Sequence, residues 1–201
     1  INNITNDLMS TDSLKEKVAV LENEYKATRD KYQNLIQSAV YKSYLRNYNG
    51  ALSDLKLAIK LQPANFLAYF CRGNIRSEMI DYIKLLDQEN DVLLIDPQQQ
   101  SNIKTIKEQE SYTDYQYVID DYLKAIDLSP EFIFSGFNLA NTYLKTRDYN
   151  KAINWYNKVI SNDDTFAEAY YNRGLTYIYL KQNENGCMDM SKSGELGIQN
   201  A

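Results

Sequence analysis

Apolar side chains recur at spacings of three and four residues along much of the chain, which is the period of an amphipathic α-helix. The clearest runs cover residues 47–61, 115–128 and 148–160, and each of them presents one apolar face. In the last run the apolar positions are Tyr149, Ala152, Ile153, Tyr156, Val159 and Ile160. With 7 glycines and 3 prolines, the sequence also has little of the punctuation that an all-β fold requires. The pattern predicts an all-α protein.

The helical runs belong to an internal repeat that becomes visible when the sequence is shifted over itself. A shift of 34 residues places Tyr143 on Tyr177, and a shift of 67 residues places Pro63 on Pro130. Under both shifts small residues meet small residues and bulky residues meet bulky ones. Each unit contains two helices, and the predicted units are residues 31–63, 64–130, 131–164 and 165–198.

Residues 138–153 and 166–177 carry a pattern that resembles the tetratricopeptide repeat. In that family a small residue lies midway along the first helix, a Tyr follows three residues later, and an Ala follows twelve residues later in the second helix. Ala140, Tyr143 and Ala152 match this spacing. The resemblance implies an all-α, right-handed superhelical solenoid of antiparallel helix hairpins.

Residues 75–113 interrupt the repeat and leave two hypotheses open. The first is an ordinary extra unit, but its register would need a small residue at Leu85 and an aromatic residue at Glu110. The second is a first helix that runs long, through Met79, Ile83 and Leu86, followed by a polar insertion over about residues 89–112. We favour the second hypothesis, because the entropy of loop closure rises slowly with loop length.

Residues 1–30 form the remaining segment, with a polar lead followed by a helix that is apolar at Leu14, Val18 and Leu21. We expect this helix to cap the array, and pairing with another chain is the alternative. Asn47 and Asp148 precede second helices and are predicted to cap them. The adjacent acids Asp120 and Asp121 are expected to be solvated.

Composition excludes several classes of function. The 201-residue chain has a net charge of −5 and contains no histidine, so it lacks the basic footprint of nucleic-acid binding and every mechanism that requires an imidazole. The longest plain apolar run, residues 92–95, is far too short to insert into a membrane. Without a phosphate loop, a nucleophile elbow or a metal-ligand cluster, we expect no enzymatic activity and no cofactor or metal. The compartment stays open, whether cytoplasmic, periplasmic or secreted.

The resemblance also implies where a partner binds, because the first helices of the family line a concave groove that holds extended peptides. Transferred to this register, the groove carries rings and aliphatic side chains beside a row of amides. The predicted partner-binding residues are Phe70, Asn74, Phe134, Phe137, Asn138, Asn141, Tyr171, Asn172, Leu175 and Ile178, with Ser77 facing the same way. The lysine of the carboxylate clamp found in some members is replaced by Phe137 and Tyr171, so that clamp is predicted to be missing.

The function expected from these observations is a non-catalytic scaffold that binds a protein or peptide partner in the concave groove. Two alternatives remain: a structural module that forms homo-oligomers, and a secreted bacterial accessory protein that binds glycans through exposed rings. Arg72 and Arg173 lie beside the small residues Gly73 and Gly174, and we expect them to pair with acids of a neighbouring unit.

Overall fold

The computed structural model of the chain describes residues 11–27, 31–89 and 114–198, and the regular structure in these ranges is α-helical. The helices are α1 (Thr11–Ala27), α2 (Lys31–Tyr44), α3 (Tyr48–Leu61), α4 (Phe66–Glu89), α5 (Gln116–Leu128), α6 (Ile133–Lys145), α7 (Tyr149–Asn162), α8 (Ala167–Tyr179) and α9 (Asn183–Glu195). The predicted all-α class is therefore confirmed.

The chain divides into two compact units, Ile1–Asp114 and Tyr115–Ala201. In the first unit α1, α2, α3 and α4 pack in chain order, and in the second unit α5 to α9 do the same. Within each unit, each helix thus contacts the next along the chain, which is the arrangement of stacked helix hairpins. The predicted unit of residues 64–130 is divided between the two compact units.

Small side chains let the helices of each hairpin approach closely. Ala39 and Ala51 are completely buried between α2 and α3, and Ala140 and Ala152 are completely buried between α6 and α7. A bulkier side chain at these positions would force the paired helices apart. The small-residue register read from the sequence is therefore the register of the helix contacts.

The first helix of each hairpin ends in a left-handed residue that is basic rather than glycine. The backbone φ angle is 57° at Arg46, 63° at Arg147 and 60° at Lys181. At the end of α6, the amide of Asp148 donates to the carbonyl of Tyr143 at 2.8 Å and that of Arg147 donates to Leu144 at 3.1 Å. This pair of bonds is a Schellman motif, which reverses the chain into the second helix.

The two capping predictions have different outcomes. Asn47 caps α3, since its side-chain Oδ1 accepts from the amide of Gly50 at 3.0 Å. The prediction for Asp148 is wrong, because its side chain makes no cap hydrogen bond to α7. Its carboxylate instead pairs with the Lys151 ammonium at 2.7 Å.

The interruption begins with a long first helix, as the favoured hypothesis predicts. Helix α4 runs without a break for 24 residues, and it buries Met79, Ile83 and Leu86. An ordinary extra unit would need a turn in this stretch, and α4 has none. Most of the predicted insertion, residues 90–113, lies outside the described residues, as do residues 1–10 of the polar lead.

Helix α1 packs against α2, and its role as a cap of the array stays a prediction. Leu21 is buried in this contact, at 8% exposure. The ammonium of Lys42, on α2, lies 2.7 Å from the Glu22 carboxylate on α1 and 2.8 Å from Asp54 on α3. This shared cation ties α1 to the first hairpin.

Candidate partner-binding surface

Eight of the ten predicted partner-binding residues lie on two first helices of the second unit. Helices α6 and α8 are neighbours in that unit, and the face that they share is called the first-helix face here. Its members are Phe134, Phe137, Asn138 and Asn141 on α6, and Tyr171, Asn172, Leu175 and Ile178 on α8.

Two amides join α6 and α8 at the centre of the first-helix face. The Asn172 Nδ2 atom donates to the Asn141 Oδ1 atom at 2.9 Å. The same oxygen accepts from the hydroxyl of Tyr156 at 2.6 Å. Tyr156 is completely buried, and burial raises the pKa of its phenol well above the ordinary value. The two amides therefore have fixed orientations, held from below by a neutral tyrosine.

The phenylalanines of α6 differ in how far they belong to the core. The ring centroid of Phe137 lies 4.9 Å from that of Phe166 and 6.1 Å from that of Tyr156, so this ring packs between helices. Phe134 is 44% exposed, and its ring meets the edge of Phe166 at 5.7 Å. Phe137 thus supports the fold, whereas Phe134 also offers apolar surface to solvent.

Helix α8 contributes three apolar side chains to this face. Tyr171 and Leu175 are half-buried, and Ile178 is 43% exposed. Within the described residues, the Tyr171 hydroxyl has no hydrogen-bond partner and its ring stacks on no other ring. Tyr171 is therefore the ring of this surface with the least part in holding the fold.

The other predicted residues have more interactions within the fold. Phe70 and Asn74 are half-buried on α4, in the first unit, and both already interact with other side chains or backbone groups. Ser77 is buried, at 9% exposure. Asn138 is half-buried, and its carbonyl accepts from the Thr142 hydroxyl at 2.8 Å. Their place in a binding surface stays a prediction.

An ion pair that was not predicted from the sequence holds the last hairpin. The guanidinium of Arg173 donates from Nε to Asp189 Oδ2 and from a terminal nitrogen to Oδ1, both at 2.7 Å. The acid lies on α9 of the same hairpin, so the expected pairing with a neighbouring unit is wrong for Arg173. Its other terminal nitrogen does reach the preceding hairpin, where Asn157 Oδ1 accepts at 2.6 Å.

A related acid position recurs in the other hairpins. Asp54 accepts from the Ser38 hydroxyl at 2.7 Å and from Lys42 at 2.8 Å. Asp121 is only 2% exposed and interacts with other groups, so the expectation that it is solvated is wrong. The shift of 67 residues places Asp54 on Asp121. This repeated acid in an apolar stretch was the signal that could have revealed a structural role.

Two kinds of site are absent from the part of the chain that the structure describes. No group of three or more cysteine, aspartate or glutamate side chains there is arranged to hold a metal ion. Among the same residues, no helix combines the length and the apolar character needed to cross a membrane.

Comparison with known proteins identifies the repeat. A family model described as TPR repeat matches residues 140–181, which include the hairpin turn at Arg147 and the paired amides. The chain therefore contains the tetratricopeptide repeat. The human protein named tetratricopeptide repeat protein 6 is 26% identical over 137 residues, which are 67% of this chain and 26% of that protein.

Two further relatives place the repeats in other contexts. A Giardia intestinalis protein named UDP-N-acetylglucosamine–peptide N-acetylglucosaminyltransferase is 32% identical over 82 residues, but these are 41% of this chain and 6% of that protein. The crystal structure of MamA superposes with a TM-score of 0.69 at 20% identity, over 93% of this chain and 90% of that one. The chain spans only a small part of the human and Giardia proteins. Its tetratricopeptide fold is that of a protein-interaction scaffold.

Proposed function

We propose that the chain binds an extended segment of a protein partner along the first-helix face, and that it has no catalytic role. Tyr171, Leu175 and Ile178 would contact the apolar side chains of that segment, with Phe134 at its edge. Phe70 and Asn74, on α4 of the first unit, are proposed as partner-binding residues of that unit. This proposal makes the general scaffold role of the tetratricopeptide fold specific to named residues.

The amide pair is the observation that carries the proposal. Asn141 uses its oxygen within the fold, and Asn172 uses an N–H group. Among the described residues, the Asn141 NH2 group and the Asn172 oxygen have no partner outside this pair and Tyr156. The surface thus offers a fixed donor beside a fixed acceptor, which matches the C=O and N–H groups of one extended peptide.

The amides have a second property that suits peptide recognition. A peptide group that leaves water without a new hydrogen bond loses about 1–3 kcal/mol, so an apolar surface alone would bind an extended backbone poorly. Because Tyr156 orients the amides before binding, little further ordering is needed when a peptide arrives. Apolar side chains on either side then exclude water from the new hydrogen bonds.

Selection from a peptide library followed by nuclear magnetic resonance tests the location of binding. Selected peptides should shift the side-chain amide signals of Asn141 and Asn172 and the backbone signals around Tyr171. Signals of the second-helix residues Asn150 and Asn154, which are exposed on α7, should stay unchanged as internal controls. Peptides that bind but leave both asparagine amides unshifted would contradict the proposal.

The homo-oligomer alternative predicts a different result. Light scattering across a wide range of protein concentration would then give a mass that rises above that of the 23.4 kDa chain. The partner-binding proposal predicts a constant monomer mass without partner and a defined complex with it. A surface that self-associates and fails to bind any selected peptide would favour the structural module.

A further inference from the structure

A second groove lies on another face of α6, apart from the first-helix face. It has a volume of about 440 Å³ and is bordered by the end of α5, the start of α6 and the C-terminal half of α7. Pro130, Ile133, Gly136, Trp155 and Val159 form its apolar wall. The groove lies wholly within the second unit. Residues 133 and 136 project about 100° around the helix from residues 134 and 137.

The groove exists because this hairpin departs from the repeat at three positions. The shifts of 67 and 34 residues align Gly136 with Tyr69 and Tyr170, Leu139 with Arg72 and Arg173, and Trp155 with Asp121 and Asp189. In α6–α7 a glycine thus replaces the tyrosine of the first helix, and Trp155 of the second helix supplies the aromatic ring instead. A Cβ atom at Gly136 would lie 3.3 Å from Val159 and 3.6 Å from Trp155, so the indole occupies part of the tyrosine's place.

A cation also lies over the aromatic ring here, although the ring belongs to the second helix. On the first helices α4 and α8, Arg72 lies over Tyr69 and Arg173 lies over Tyr170, each with its charge 5.4 Å from the ring centroid. Here the Lys158 ammonium lies 3.8 Å from the Trp155 ring centroid. Unlike Arg173, whose side chain is largely buried and paired with Asp189, Lys158 is exposed.

The charge of the groove is uncompensated. Lys158 is the one charged residue among those that line it, and it forms no ion pair within the described residues. The Asn162 amide on the same rim also has no hydrogen-bond partner in the described part of the chain. An apolar wall with one available ammonium and one available amide is complementary to an apolar side chain next to a carboxylate.

We propose that this groove is a second docking site, which binds a segment of a partner protein that carries an apolar side chain followed by an acidic residue. The apolar side chain contacts Ile133, Trp155 and Val159, and the carboxylate accepts from Lys158. Asn162 hydrogen-bonds the backbone of the segment. The site is separate from the first-helix face, so its failure would leave the proposed function untouched.

Tryptophan fluorescence tests the proposal directly, because Trp155 is the single tryptophan of the sequence. The probe is an acetylated and amidated peptide in which Leu precedes Asp, and the neutral probe has Asn in place of that Asp. The acidic probe should change the fluorescence saturably, with a Kd on the order of a millimolar. The neutral probe should bind about threefold to fivefold more weakly, as expected for an exposed ion pair.

Three variants assign the binding to residues. Lys158→Gln should lower the affinity for the acidic probe to that for the neutral probe, and should leave the neutral probe unaffected. Ile133→Ser should weaken both probes, whereas the matched variant Ile178→Ser on the first-helix face should weaken neither. Circular dichroism melting of each variant shows that it is folded.

Each contrary outcome overturns the proposal. No saturable change with the acidic probe up to about ten times the expected Kd means that the groove does not bind it. Equal affinities of the wild type for the acidic and neutral probes remove the role of Lys158. Weakening by Ile178→Ser but not by Ile133→Ser places the binding on the first-helix face.

Discussion

The hairpins α6–α7 and α8–α9 have the same register but are held together by different chemistry. In α6–α7 the contact is apolar and aromatic, with Ala140, Ala152 and Tyr156 completely buried. In α8–α9 two glycines face each other, and Arg173 forms its bidentate ion pair with Asp189. One backbone arrangement therefore accepts either an apolar or an ionic contact.

The difference has a consequence for the surface of each hairpin. In α8–α9 the two charges pair with each other inside the protein, because the side chains of Arg173 and Asp189 are only 16% and 9% exposed. The apolar contact of α6–α7 leaves Lys158 exposed over Trp155 and a groove beside Gly136. A different contact between the paired helices therefore leaves different groups exposed on the surface of the hairpin.

The largest expected effect comes from breaking the ionic contact. Asp189→Ala should destabilise the protein by about 3 kcal/mol, because it leaves the Arg173 guanidinium largely buried without its carboxylate. The measurement is urea unfolding monitored by circular dichroism. Asp148→Ala is the control, since it removes an exposed pair with Lys151 and should cost less than about 1 kcal/mol.

A double variant sharpens this test. Replacing both partners, with Arg173→Leu and Asp189→Leu, should restore much of the lost stability, because α6–α7 shows that the position accepts apolar side chains. If Asp189→Ala and Asp148→Ala gave equal midpoints, the ion pair would not hold this hairpin.

The next effect depends on pH and concerns α6–α7. Burial raises the pKa of Tyr156, so above pH ~10 the unfolded chain loses this phenolic proton while the folded chain keeps it. The stability contributed by the neutral phenol is complete below that pH, and the free energy of unfolding then falls by about 1.4 kcal/mol per pH unit.

Tyr156→Phe isolates this contribution, because it removes the titrating hydroxyl. The position accepts a side chain that cannot titrate, since Met190 occupies the equivalent position of α9. Unfolding curves at pH ~9 and ~11 should show a smaller loss of stability for the variant than for the wild type. An identical loss in both proteins would show that Tyr156 ionises as easily in the folded state as in the unfolded chain.

A smaller effect tests the close approach of α8 and α9. A Cβ atom on Gly186 would lie 2.6 Å from Ile178 Cγ1 and 3.0 Å from the Gly174 carbonyl oxygen. Gly186→Ala should therefore destabilise by about 1 kcal/mol, although the same change in an open helix stabilises. Asn185→Ala, at an exposed neighbour, is the control. A rise in the melting temperature of Gly186→Ala would mean that the helices are farther apart.

The smallest effect should be the same in both hairpins. Arg147 and Lys181 end α6 and α8 with φ angles of 63° and 60°, which cost a side-chain-bearing residue energy. Arg147→Gly and Lys181→Gly should each stabilise by about 0.5 kcal/mol, after the greater freedom of glycine in the unfolded chain is counted. A gain at one turn and a loss at the other would show that the turns differ.

Much of the fold could be predicted because the repeat is defined by the spacing of small and apolar residues. Ala140 and Ala152 lie where the 34-residue register places them, and α4 extends through Leu86 as its apolar spacing indicates. The pairing of Arg173 with Asp189 could not be predicted in the same way. It depends on side-chain directions across two helices, and the repeat shows the pair in a different form, Leu139 with Trp155, in the preceding hairpin.

The helix positions of the candidate residues could be predicted from the repeat, but their hydrogen bonds and ring contacts could not. The register places Asn141 and Asn172 on one face, and the structure joins them to each other and to the buried hydroxyl of Tyr156. The ring of Phe137 likewise packs on Phe166, which the register does not reveal. A repeat pattern fixes the face on which a residue lies, whereas its hydrogen bonds depend on the neighbouring helix.

The most direct test of the partner-binding proposal measures affinity and stability together at Tyr171. For a peptide selected on the wild type, Tyr171→Ala should weaken binding by about thirtyfold, as for a hot-spot ring. The same variant should change the free energy of unfolding by less than about 1 kcal/mol, because the ring is half-buried and has no hydrogen bond or ring contact within the described residues. Tyr171→Phe should retain most of the affinity. Unchanged binding by Tyr171→Ala, or a loss of stability large enough to account for weaker binding, would contradict the assignment of the first-helix face.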